Sequence, residues 1–275
     1  MEIVDRKFNR AITVTATNTP ATRPEGYKYP PVTEAVIGVN FADDLSKTQL
    51  KSASDKLAKN YPIHQQLQNI SVNLDLSPQA GKNRKTITEI AELGHRRSSQ
   101  DMTEIALALP NSLVVSQLAP YPSWATFSNR FKRDWKLMKK TLGYREIKRI
   151  GVRYINRIDI PATDQLVHNE KFLNVFPQVP EILGPLMAGA VQTTSYFEDI
   201  KCTLTLNSGV VASPILNHIS FLLDLDVSRE LDVPQSDTDI FELLETMRVK
   251  KNEVFEACIS QRARDEIFNG DRNAK

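Results

Sequence analysis

Three arginines recur at every fourth position in the middle of the chain, as Arg149, Arg153 and Arg157. A guanidinium group binds carboxylates and phosphates through paired hydrogen bonds, so three of them on one surface form a candidate anion site. We call these three residues the arginine stripe. Its partner could be acidic side chains of the same sheet, a nucleic-acid backbone or another protein, and all three stay open.

A β-strand is the element that must carry the arginine stripe. Residues 149–160 alternate, so that the arginines and Asp159 share one face of the predicted strand. The opposite face is apolar, and its residues are Ile150, Val152, Tyr154, Ile158 and Ile160. The pattern predicts a strand with one buried face and one charged face.

The arginine stripe belongs to a longer basic stretch, residues 130–157, which contains eleven basic residues and two acidic ones. The first part of this stretch predicts a helix with an apolar face and a cationic face. The candidate residues for binding an anion or a partner are Arg133, Lys136, Lys140, Arg149, Arg153 and Arg157. The stretch is either a phosphate-binding surface or a solvated face whose charges are paired with acidic residues elsewhere.

A second predicted strand, residues 219–227, supplies specific acidic partners. Its face opposite the apolar residues carries Asp224 and Asp226. If this strand pairs with residues 146–160, these carboxylates face Arg153 and Arg157, and such cross-strand pairs help to define the register. The arginine stripe would then be structural.

The sequence favours no catalytic or metal chemistry. Its histidines are scattered, and no two lie at a spacing typical of metal ligands; they are His64, His95, His168 and His218. No glycine-rich phosphate loop or nucleophile elbow occurs, so we expect no cofactor, no metal and no enzymatic activity. A catalytic site assembled from distant residues stays open. Cys202 and Cys258 are expected to be buried free thiols.

The order of predicted elements indicates an α+β protein with a mainly antiparallel sheet and two long packed helices. Residues 1–30 predict an extended N-terminal arm, residues 31–143 a first α+β half and residues 144–275 a second. Both halves run strand, short helix, several strands and long helix, which raises the hypothesis of an internal duplication. The alternative is one mixed domain.

Some element boundaries follow from local patterns. The first half predicts strands over residues 32–41, 70–76, 85–93, 97–109 and 113–118. The second half predicts a short helix from about Asp164 and a last helix from about Asp239 to Phe268.

Composition and charge limit the cellular setting. A charged fraction of 25% and a net charge of +2 are typical of a soluble globular protein. The apolar runs are too short for a membrane span and the N-terminus does not resemble a signal peptide, so a cytoplasmic protein without membrane contact is expected.

Four segments occur in an order that resembles a known family. They are Tyr29–Val36 (YPPVTEAV), Pro120–Trp124 (PYPSW), Gly151–Ile158 (GVRYINRI) and Lys251–Glu256 (KNEVFE). The chain from residue 29 to about residue 268 resembles a sporadically distributed prokaryotic family of similar length with no assigned activity. The resemblance implies no catalytic residues, and the patchy distribution implies a gene of mobile or defence-related cassettes that acts with neighbouring proteins.

Two functional hypotheses follow. The first is a non-enzymatic cytoplasmic protein that binds a protein partner or a second copy of itself, as an accessory or regulatory subunit of such a cassette. The second is an RNA- or DNA-binding module that uses the basic stretch 130–157.

Overall fold

The computed structural model describes residues 26–74, 86–162, 169–180, 182, 184 and 188–270. Most of the predicted N-terminal arm, residues 1–25, lies outside the described residues. The start of the short helix predicted near Asp164 also lies outside them, and residues 169–171 form a single turn of 3₁₀-helix.

The described residues form an α+β fold with one nine-stranded antiparallel sheet, which confirms the predicted class. The sheet order is β2-β3-β4-β5-β1-β6-β9-β8-β7. The strands are β1 (Val32–Phe41), β2 (Ile63–Leu74), β3 (Thr86–Ser98), β4 (Glu104–Leu109), β5 (Ser112–Leu118), β6 (Ile147–Pro161), β7 (Ala190–Phe197), β8 (Cys202–Val211) and β9 (His218–Arg229).

The opening strands of the two predicted halves, β1 and β6, lie side by side in the centre of the sheet. On one side β1 pairs with β5, and the strands β5 to β2 follow in order towards one edge. On the other side β6 pairs with β9, and β9 to β7 follow towards the other edge. The arrangement is alike on both sides, and the duplication itself stays a hypothesis.

Three helices pack on this sheet: α1 (Lys47–Leu57), α2 (Trp124–Leu142) and α3 (Asp237–Cys258). Each begins at a serine whose hydroxyl accepts a hydrogen bond from a backbone N–H of the first turn, and these serines are Ser46, Ser123 and Ser236. α2 and α3 are the two long helices that the sequence predicts.

Several predicted boundaries are wrong. The strand predicted over residues 70–76 begins earlier, at Ile63 of β2. The strand predicted over residues 97–109 is split between β3 and β4 by a turn, in which the Asp101 carboxylate accepts hydrogen bonds from Ser99 and Thr103. The last helix ends at Cys258 rather than near Phe268, because Ile259 is extended and bridges to Leu173. A short π-helix, Ala263–Phe268, follows.

The core lies on one face of the sheet, between the strands and the three helices. Every second residue of β1 and β6 is buried on this face, and Phe41 of β1 stacks on Trp135 of α2 with ring centres 6.4 Å apart. The other face of β6 carries Arg149, Arg153 and Arg157, which are only partly buried. We call this the open face of the sheet.

Candidate functional site

The centre of the open face brings the arginine stripe against the acidic strand, as predicted. Asp224 accepts hydrogen bonds from Nε and Nη2 of Arg153 at 2.8 and 2.7 Å, and from Asn207 at 3.2 Å. The backbone partner of Arg153 is Asp226, so this ion pair runs diagonally across the strands. The hydrogen bond to Asp224 raises the pKa of Arg153 above its ordinary value.

Asp226 binds Arg149 rather than Arg153 or Arg157. The Arg149 side chain lies along its own strand over Gly151, and its Nη2 reaches Asp226 Oδ2 at 2.8 Å. A Cβ at Gly151 would lie 3.1 Å from the guanidinium, so the missing side chain makes room for this contact. Burial raises the pKa of Asp226 above its ordinary value, and the charge of Arg149 acts in the opposite direction.

Arg157 has a partner on its own strand. Its Nε donates to Asp159 at 3.0 Å, and Asp159 also accepts a hydrogen bond from Ser220 at 2.5 Å. The prediction that Asp224 or Asp226 faces Arg157 is therefore wrong, because Leu222 is the residue opposite it on β9. Each arginine of the stripe binds a carboxylate within the fold.

The basic residues of α2 lie on the opposite side of the sheet from the arginine stripe. Arg133 donates to the buried Asp134 at 2.8 Å and to the Tyr61 hydroxyl at 3.1 Å. Tyr61 in turn donates to Asp134 at 2.5 Å, and burial raises the pKa of this phenol above its ordinary value. Lys136 and Lys140 are exposed on the outer surface of the helix. The six predicted site residues thus do not form one surface.

Arg130, which is 6% exposed, completes the buried cluster beside Arg133. Its Nη1 donates to the Tyr61 hydroxyl at 3.0 Å, and its Nη2 donates to the backbone carbonyl of Ser116 at 2.8 Å. Its Nε lies 3.6 Å from a carboxylate oxygen of Glu104. This guanidinium is held inside the fold and is not presented to a ligand.

The four segments in which the sequence suggests a family resemblance meet in space. Thr33 of the first donates to the carbonyl of Ile155 in the third at 2.9 Å. The hydroxyls of Tyr121, in the second, and Tyr154, in the third, are 2.7 Å apart. Lys251 of the fourth is 6% exposed, and its Nζ lies 3.7 Å from the centre of the Tyr154 ring. The Lys251 contact links α3 to β6, and the other two contacts link the first and second segments to β6.

One histidine pair is brought together without any signal in the sequence. His64 and His95 lie on paired strands, with 3.1 Å between Nε2 and Nδ1, and burial lowers the pKa of His95. Among the residues that the structure describes, no three His, Cys, Asp or Glu side chains could hold a metal ion. Cys202 and Cys258 are buried free thiols, as predicted.

A groove of about 350 Å³ lies between α2 and α3. Two of its charged side chains have partners within the fold: Lys132 lies over the Phe241 ring at 5.1 Å, and Glu245 accepts hydrogen bonds from Trp124 and Arg248. Thr238 and Glu242, which also line the groove, are exposed.

The outer edge of β7 is a different kind of surface. β7 pairs with β8 over its full length without a register shift, and within the described part of the chain it ends the sheet. Its side chains are exposed or half-exposed and include no charge; the residues are Ala190, Val191, Gln192, Thr193, Thr194, Ser195, Tyr196 and Phe197. Such an edge presents unpaired N–H and C=O groups in a regular row, which can accept another strand.

In a comparison with known proteins, no model of a protein family matches this chain, and no curated protein matches its sequence. The described fold is a nine-stranded antiparallel sheet with helices on one face. No described helix is both long enough and apolar enough to cross a membrane.

Proposed function

We propose that this protein is a non-enzymatic binding protein that docks a strand of a protein partner on the outer edge of β7. The observation that carries the proposal is the regular, uncharged and exposed edge of β7. Proteins that avoid edge pairing protect such strands with lysine, proline or a bulge, and β7 has none of these. Strand addition to an open edge is a common mode of peptide recognition.

The family resemblance supports a role for this binding protein as an accessory or regulatory subunit. It implies a prokaryotic gene of a defence or mobile-element cassette, which acts with the products of neighbouring genes. The internal pairing of the arginine stripe agrees with a protein-binding role rather than a phosphate-binding one, because each of its three arginines already binds a carboxylate within the fold.

The test uses purified products of the genes on either side of this one, with the full chain as bait. Thr194→Lys places a charge in the middle of the β7 edge and should lower capture of the partner at least about tenfold. Thr205→Lys is the matched control, because Thr205 is the neighbour of Thr194 on β8 and lies inside the sheet. Capture of a neighbour that ignores Thr194→Lys would show that this neighbour does not dock on β7. Failure to capture any neighbour would contradict the accessory role.

The second candidate is an RNA- or DNA-binding module in the basic stretch 130–157. What favours it is the exposure of Lys136 and Lys140 on one face of α2. Charge reversal of both lysines should weaken binding and reduce its salt dependence, whereas reversal of the exposed Lys56 and Lys59 at the end of α1 should not. Binding that responds equally to the two double variants would exclude α2 as the interface.

A further inference from the structure

We propose that the strand which docks on β7 is β7 of a second copy of this chain. The two strands would run antiparallel about a twofold axis perpendicular to the sheet at Thr194. This inference rests on the proposed function, because it names the partner for the same edge. The product would be one continuous sheet with the helices of both copies on the same side.

The pairing of side chains across this axis favours self-association. Directly opposite residues of antiparallel strands share a face. An axis at Thr194 therefore pairs Val191 with Phe197 of the other copy on the helix side, and Gln192 with Tyr196 on the open face. Both Val191 and Phe197 are half-exposed, and an aromatic side chain opposite a β-branched one is among the favourable cross-strand pairs.

Charge does not oppose this pairing. Like charges directly opposite each other destabilise a strand pair, and a twofold axis always brings a residue near its own copy. β7 carries no charged side chain between Ala190 and Phe197, so no such repulsion arises. Lys250, whose Nζ lies 5.3 Å from the centre of the Phe197 ring, is paired with Asp199 at 2.9 Å within one chain.

The other end of the described sheet is less suited to pairing. β2 is the strand at that end, and a register shift between Leu67 and Gln68 interrupts its pairing with β3. A bulge of this kind twists a strand locally and discourages addition of a further strand. The regular ladder of β7 and β8 has no such interruption.

A contact made by one strand pair is small, so the dimer should be a reversible one. Interfaces at the low end of the size range are weak or transient, and we expect a dissociation constant of about 1–100 μM. Analytical ultracentrifugation across that range should show the mass rising from monomer to dimer. Thr194→Lys should keep the protein monomeric, whereas Thr205→Lys should leave the association unchanged.

Engineered cysteines test the register. Thr194→Cys would place two thiols directly opposite each other, with Cα atoms about 5 Å apart, within reach of a disulfide. Gln192→Cys is the matched control, because its two copies would lie about 14 Å apart along the strands. The native cysteines are buried and should not interfere. Mild oxidation should link Thr194→Cys, and should link Gln192→Cys only when it is mixed with Tyr196→Cys.

The outcomes separate the two proposals. A protein that stays monomeric throughout the concentration range, with no disulfide from Thr194→Cys, would overturn self-association. If Thr194→Lys then still abolished capture of a purified neighbour, the edge would bind a different protein and the proposed function would stand. Linked dimers from Gln192→Cys alone would contradict the register about Thr194.

Discussion

The centre and the β7 edge of the sheet differ in which groups they leave for a partner. In the centre, Arg149, Arg153 and Arg157 carry positive charges on the open face, and each binds a carboxylate. At the edge, the side chains of β7 carry no charge, and the backbone groups on its outer side are the ones that can bind. The charges that are conspicuous in the sequence are therefore paired within the fold, and at the β7 edge it is the backbone that remains for a partner.

This difference predicts that a substitution in the centre lowers the free energy of unfolding more than a substitution at the β7 edge. Asp224→Ala removes the acceptor of two hydrogen bonds from Arg153 and one from Asn207. Because Arg153 is 46% exposed and solvent takes over part of its interaction, we expect a loss of about 1.5 kcal/mol in the free energy of unfolding. Thr194→Ala at the edge should change it by less than about 0.5 kcal/mol. Urea denaturation of dilute monomer measures both, and equal effects would contradict the comparison.

Two glycines sharpen the comparison within the centre itself. Gly38 of β1 and Gly151 of β6 are direct neighbours, yet a Cβ at Gly38 has no atom within 4 Å and one at Gly151 meets the Arg149 guanidinium. Gly151→Ala should cost about 1 kcal/mol, because the added methyl group lies 3.1 Å from the Arg149 guanidinium and 3.3 Å from an Asp226 carboxylate oxygen and crowds their contact. Gly38→Ala should be neutral or stabilising by about 0.5 kcal/mol. Thermal unfolding of the two variants measures this difference. A similar loss of stability in both would argue against the path of the Arg149 side chain over Gly151.

The smallest expected effect is a difference in the sign of pH dependence. Burial raises the pKa of Asp226 in the folded state, so its ionisation opposes folding as the pH rises above the unfolded value of about 3.9. The hydrogen bond from Lys250 lowers the pKa of Asp199, beyond the end of β7, so its contribution is lost as the pH falls below about 3.9.

Unfolding measured between about pH 3 and pH 6 tests these signs against the matching asparagine variants. Relative to Asp226→Asn, the protein should lose stability as the pH rises; relative to Asp199→Asn, it should gain stability. The same sign for both carboxylates would show that burial does not distinguish the centre from the periphery.

Local patterns predicted the elements of this fold more reliably than their limits. β6, β9 and the two long helices follow from apolar periodicity, because each buries one face against the core. The division between β3 and β4 was missed, because the predicted strand joined the largely polar run of residues 97–104, in which Asp101 forms a local turn, to the apolar residues of β4. The end of α3 was placed too far along, because the extended Ile259 pairs with a distant residue, Leu173.

The sequence predicted the contacts of the candidate site only where they follow from the alternation of residues along a strand. Alternation placed Asp224 and Asp226 on the face opposite the apolar residues, and the pairing of Arg153 with Asp224 is confirmed. The contact of Arg149 with Asp226 was missed because it depends on the room above Gly151. The pair His64 and His95 was missed because the register of β2 and β3 brings them together across 31 positions of sequence.

The sequence alone determined which residues share a face of each strand and helix, since this follows from backbone periodicity within one element. It thereby determined the α+β class and the charged face of β6. Only the tertiary structure decided that the arginine stripe is paired internally and that β7 ends the described sheet. The physical reason is that strand order and register arise from contacts between residues far apart in the chain, and these contacts determine which polar groups have partners.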